Sequence, residues 1–114
     1  MKSLGITSSV RLTLLAMGAT LVALSVQAAK SVSVVQQGLV FAQKSAALSQ
    51  GDTMIYQNHD DVIHNIHIFK GDEDRKNLGL QKPGVPLSYR FDESGTFKIR
   101  CNIHPSMKMT VTVK

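Results

Sequence analysis

The 114-residue sequence holds one cysteine, Cys101, so an internal disulfide is impossible. Beyond residue 28 it shows no helical periodicity, no internal repeat and no low-complexity tract. Helix-rich folds, which need apolar residues recurring every three to four positions, are thereby excluded. The formal net charge is +5, of which Lys2 and Arg11 lie in the first eleven residues. No dense Lys/Arg stripe accompanies this excess, so nucleic-acid binding is not indicated. The basic residues mostly alternate along candidate strands, as on an ordinary solvated face.

What is present at the start is a leader-like pattern. Met1–Arg11 carries two cations and no acid, and it runs into LTLLAMGATLVALSV, Leu12 to Val26, followed by small residues. The apolar run is shorter than the ~20 residues a membrane-spanning helix needs. A secretory signal peptide over residues 1–28, cut after Val26-Gln27-Ala28, is expected, with an uncleaved anchor as the alternative. Cleavage would leave a single domain, 29–114, exported to the periplasm with no membrane insertion. A domain so small hides only about 60% of its extended-chain surface. Small exported domains often compensate with disulfides or a metal. With one cysteine, a metal is the device to look for.

The remaining chain reads as short alternating or β-branched runs cut by turn residues. Ser31–Val35, Leu39–Ala42, Thr53–Asn58, Val62–Phe69, Leu87–Phe91, Thr96–Cys101 and Met109–Val113 are expected strands. The polar stretch Gly71–Gly79 reads as a loop. The fold class predicted is all-β, a small antiparallel sandwich or barrel of about seven to eight strands.

Strand phase then sorts the candidate ligands, because residues two apart share a face. Cys101 falls in phase with Phe97 and Ile99, at the core side of a strand end. Met109 is in phase with Val111 and Val113 and is assigned to the core, whereas Met107 lies in the connecting loop with no packing role set by pattern. His64 shares the inward face with Ile66 and Ile68. His67 falls on the opposite face with Asn65 and Phe69, and His59 sits in the turn Asn58–Asp61.

CNIHPSM, Cys101 to Met107, thus offers a thiolate, an imidazole at His104 and a thioether, with His64 arriving from upstream. Soft sulfur donors favour copper over magnesium, calcium or manganese, and two histidines, a cysteine and a weak methionine form the blue-copper arrangement. Structural zinc sites want four Cys/His ligands and usually a second cysteine pair. A catalytic cysteine would need a pocket and an oriented base. A buried structural thiol and a purely packing role for Met107 are the remaining alternatives.

The sequence resembles the cupredoxin family, that of plastocyanin, pseudoazurin and amicyanin. The likeness is carried by GDTMIYQNHDDVIHNI, Gly51 to Ile66, and GTFKIRCNIHPSMKMTVTV, Gly95 to Val113. Cys-x-x-His-x-x-Met with Pro105 after the histidine is similar to the short ligand loop of amicyanin. The resemblance implies a Greek-key β-sandwich with His64, Cys101, His104 and Met107 as ligands of one copper ion, cycling between Cu(II) and Cu(I). It further implies Asn65 as a brace between the two ligand loops. The function implied is periplasmic, non-enzymatic shuttling of single electrons between transient protein partners of cytochrome or dehydrogenase type, by a protein expected to be a monomer. A copper-tolerance or copper-delivery protein is the rival, kept open by the extra imidazoles of His59 and His67.

Overall fold

The computed structural model describes residues 3, 5, 13, 15–21 and 28–114. The leader expected over 1–28 therefore lies for the most part outside the described residues. From Ser31 onward the chain forms eight strands: β1 (Ser31–Gln36), β2 (Ser45–Leu48), β3 (Asp52–Asn58), β4 (His64–Lys70), β5 (Glu73–Gln81), β6 (Leu87–Phe91), β7 (Gly95–Arg100) and β8 (Lys108–Val113). They make two sheets, a three-stranded one in the order β1-β3-β6 and a five-stranded one in the order β2-β8-β7-β4-β5. Among the described residues there is no helix, and the two sheets make the all-β sandwich expected from the sequence.

Period-two alternation decides which faces meet. β3 buries Met54 and Tyr56 between less buried neighbours, β7 buries Phe97 and Ile99, and β8 buries Met109, Val111 and Val113. These close on Val34, Ile66, Ile68 and Phe91 to form one core. Burial of such side chains stabilises by about 1.5–3 kcal/mol each relative to exposure. Two buried glutamines cross the core near one end: Gln36 Nε2 donates to Gln81 Oε1 at 2.7 Å, and Gln81 Nε2 donates to the carbonyls of Tyr56 (2.9 Å) and Val85 (2.7 Å). They fix β1, β3 and β5 to one another beside the ligand-bearing loops.

Three sequence expectations are corrected. Leu39–Ala42 is not a strand: Leu39 has φ +57°, Gln37 N–H closes a turn onto Val40 O (3.1 Å), and only Phe41 enters the core. The strand of this region is β2, which pairs parallel with β8. Gly71–Gly79 is not a loop, because Glu73–Gln81 pairs antiparallel with β4 through two register shifts. β5 is an edge strand exposed along most of its length, so it carries the charges that protect an edge, and its composition mimics a loop. Strand β4 begins at His64 rather than Val62, leaving Val62 and Ile63 outside the ladder and exposed.

Candidate metal centre

The ligand-bearing residues come from two places. His64 opens β4, and Cys101 follows β7 at the start of the loop to β8. That loop is tied back on itself: Met107 N–H donates to His104 O (2.9 Å), and Cys101 N–H donates to Met107 O (3.2 Å). The turn carries His104 over the strand end, and it brings Met107 inward until it is fully buried.

His64, Cys101 and His104 converge, each offering one ligand atom, all within 4.8 Å of one another. The two Nδ1 atoms are 3.1 Å apart, and Cys101 Sγ is 3.6 Å from His104 Nδ1. The imidazole rings stand edge to face, with centroids 5.0 Å apart. His64 and Cys101 are buried, whereas His104 keeps a partly exposed edge beside exposed Ile103 and Pro105.

The orientation of His64 is set by a residue the sequence reading missed. Asp60 Oδ2 lies 2.7 Å from His64 Nε2, and Asp60 also accepts from Gly38 N–H (2.7 Å) and Leu39 N–H (3.2 Å). Burial raises the Asp60 pKa, but the hydrogen bonds from His64, Gly38 and Leu39 outweigh it and hold the carboxyl below its ordinary value of 3.8. A carboxylate can only accept, so Nε2 is the donor and Nδ1 is the ring nitrogen turned toward Cys101 and His104. Asn58 steadies this loop in turn, donating to Val62 O (2.9 Å) and accepting from Asp60 N–H (2.9 Å). An acid four residues before a strand histidine is the signal that could have found Asp60.

Asn65 lies across the two segments. Its backbone N–H points at Cys101 Sγ (3.3 Å), and its Oδ1 accepts from Asn102 N–H (3.1 Å). Its Nδ2 donates to Asn77 Oδ1 (2.9 Å) and Gly79 O (3.0 Å) on β5. The N–H aimed at sulfur fixes the position of the Cys101 side chain beside β4. His67 stands apart from the cluster, with Asn102 Nδ2 2.9 Å from its Nδ1 and Asp74 Oδ2 3.0 Å from its Nε2. His59 is exposed.

A buried cysteine sulfur with two imidazole nitrogens beside it is a soft donor set that suits copper. The close approach of two Nδ1 atoms needs a proton or cation between them, and one metal ion held by His64, Cys101 and His104 would supply it. A two-sheet sandwich holding such a cluster at one end defines a copper-binding protein. A profile of the family described as copper binding proteins, plastocyanin/azurin family, matches residues 28–114, and the chain belongs to that family. Similar sequences include the methylamine utilization protein MauL of Methylophilus methylotrophus, 34% identical over 55% of this chain and 37% of that protein. Plastocyanin of Vicia faba is 30% identical over 63% of this chain and 83% of its own. The chain thus spans well under half the length of the MauL protein and most of the length of the plastocyanin. Among solved structures, a reduced amicyanin mutant superposes with a TM-score of 0.65 at 27% identity, covering 74% of this chain and 82% of that one. Amicyanin from Paracoccus versutus, at 21% identity and a TM-score of 0.66 over 74% and 81% of the two chains, shares the fold.

Proposed function

We propose that the protein is an exported, periplasmic carrier of single electrons, with His64, Cys101, His104 and Met107 holding one copper ion in the domain Ala29–Lys114. The observation that carries this reading is the cluster of His64, Cys101 and His104, with the cysteine and one histidine buried and each held by an independent hydrogen bond. Copper held there supplies a one-electron couple, Cu(II)/Cu(I). The chain's own part is rigidity and access. Asp60 holds the His64 ring, Asn65 N–H holds the Cys101 sulfur, and the Asn65 side chain ties the Cys101 loop to β5. Ligands so constrained move little when the charge of the site changes. Met107, the fully buried end of the loop, excludes water and offers its thioether from inside.

His104 is the outlet in this reading. Its partly exposed edge is flanked by Ile103, Pro105 and Ser106, and Ser106 Oγ donates to Leu39 O (3.2 Å). Exposed Leu39, Val40, Val62 and Ile63 lie on the loops bound through Asp60 and Asn58 to the same end. A small apolar rim of this kind suits brief contact with a cytochrome or dehydrogenase, since transient redox encounters use small interfaces. Four protein ligands on one copper ion would leave no open position for substrate, so the reading is non-enzymatic. A copper-delivery role is less favoured, because His67 is turned toward Asn102 and Asp74 and His59 toward solvent, and neither extends the cluster.

The test is to load purified protein with Cu(II) and record visible and electron-spin spectra. An intense thiolate-to-copper band, abolished in Cys101→Ser, is expected, and its absence would refute the site. Electron exchange with periplasmic cytochromes should be fast and copper loss to chelators slow. The reverse pattern would establish the delivery role instead.

A further inference from the structure

The outer face of the five-stranded sheet gathers cations that are far apart in sequence. Lys98 and Arg100 leave β7 on the side opposite Phe97 and Ile99, and Lys108 leaves β8 opposite Met109. Lys44 joins them just before β2, its carbonyl accepting from Thr110 N–H at 2.9 Å. These four line a shallow groove of about 370 Å³ whose lining is completed by Ile99, Met109 and Thr110, with no acid among them. A second groove shares Arg100 and Lys108 and runs on to Cys101, Asn102 and Pro105. The cationic face is thus continuous with the loop that holds the cysteine.

Two features set this apart from an ordinary solvated surface. Arg100 and Lys108 are directly opposite each other in the β7–β8 ladder, a like-charge pairing that destabilises a sheet. The Thr96–Thr112 pair, further along the same face, shows that neutral residues serve this ladder. The second feature is that Lys44, Lys98, Arg100 and Lys108 gather on one groove with no ion pair among the described residues; Lys30, Lys76, Lys82 and Lys114 also lack one, but none of them lines this groove. Lys70, Arg75 and Arg90 are paired, with Glu93, Glu73 and Asp92. Asp74, on the far edge strand β5, is engaged by His67. Arg100 lies over the Phe69 ring at 5.6 Å, but no carboxylate neutralises any of the four cations, and an acidic partner surface would supply the missing charges.

We propose that this β7–β8 face docks an acidic surface of the redox partner, an inference that rests on the electron-carrier reading. Docking there turns the loop from Asn102 to Pro105 toward the partner, and long-range attraction raises the encounter rate. The test uses copper-loaded protein and the Lys44→Glu/Lys98→Glu variant, neither position belonging to the metal centre. Stopped-flow electron exchange is measured with an acidic c-type cytochrome, a basic c-type cytochrome and a small neutral oxidant, at low and high salt. The variant should react about tenfold more slowly than wild type with the acidic cytochrome at low salt, with the gap closing at high salt. Its rate with the basic cytochrome should rise, and its absorption band and rate with the neutral oxidant should be unchanged. Equal rates of wild type and variant with the acidic cytochrome would overturn the docking proposal and leave the carrier reading standing. Binding of phosphatidylglycerol vesicles or duplex DNA through the same lysines, at least as tight as that of the cytochrome, would also overturn it. Failure of wild type to exchange electrons with the neutral oxidant would refute the carrier reading, and this proposal with it.

Discussion

Replacing Asn65 with alanine probes the link between the ligand segments in metal-free protein. The orientation of the amide follows from hydrogen-bond direction. Gly79 N–H donates to Asn77 Oδ1 at 2.9 Å, so that oxygen is an acceptor, and the Asn65 atom 2.9 Å from it must be the Nδ2 donor. Nδ2 also donates to Gly79 O at 3.0 Å, and Oδ1 accepts from Asn102 N–H at 3.1 Å. Alanine removes these three bonds and leaves the main-chain contact to Cys101 Sγ in place. At about 1 kcal/mol net for each, the loss is ~2–3 kcal/mol. For a domain of this size that lowers Tm by roughly 10–20 °C. Asn65→Asp keeps the acceptor for Asn102 but sets a carboxylate oxygen against Asn77 Oδ1 and Gly79 O, two acceptors that cannot answer it. It should therefore cost more than alanine at neutral pH, although it is the closer match in shape. The assay is urea unfolding of the metal-free protein followed by circular dichroism. A loss below ~0.5 kcal/mol for alanine, or an aspartate variant more stable than the alanine one, would refute the assigned network.

Met107→Leu should change metal-free stability by less than about 1.5 kcal/mol, while Met107→Ala costs ~2–5 kcal/mol by opening a cavity. If the thioether is a ligand, the leucine variant alters the copper absorption and electron-spin spectra, and unchanged spectra would reduce Met107 to packing. His67→Ala should leave copper loading and the charge-transfer band as in wild type, since the ring faces Asn102 and Asp74. A lost band would return His67 to the site. Asp52 accepts from the backbone N–H groups of Lys30 (3.0 Å) and Ser49 (2.8 Å), which lower its pKa below the ordinary 3.8. A carboxyl with a depressed folded-state pKa contributes stability that is full above the unfolded value and lost as pH falls through the folded one. Asp52→Asn should therefore flatten the acid limb of stability against pH below about 4, measured by urea midpoints. An unaltered limb would show that the two bonds carry no linkage.

Much of the site was legible because strand phase is a local property. A period of two put Cys101, Met109 and His64 on inward faces and His67 on the outward one, and all four lie so in the fold. The spacing within CNIHPSM suffices to bring the Cys101 sulfur and His104 imidazole together, because a short loop returning to an adjacent antiparallel strand has few ways to close. Reading failed where local composition and tertiary role diverge. β5 looks like a loop because an edge strand keeps few buried neighbours, and β2 was misplaced because four short, mostly exposed residues owe their strand form to β8.

The sequence by itself determined the fold class, the faces of the principal strands and the donor chemistry, since these depend on residue type and a two-residue period. Tertiary structure alone decided what holds those donors and what surrounds them. Asp60 is held in place by the N–H groups of Gly38 and Leu39, 22 and 21 residues away, and Asn65 joins Cys101, Asn102, Asn77 and Gly79 only when β4 lies beside β5 and β7. Lys44 meets Lys98, Arg100 and Lys108 only because β2 pairs with β8. Each is a hydrogen bond or a charge placement between distant segments, and no local pattern records such contacts until the sheets are assembled.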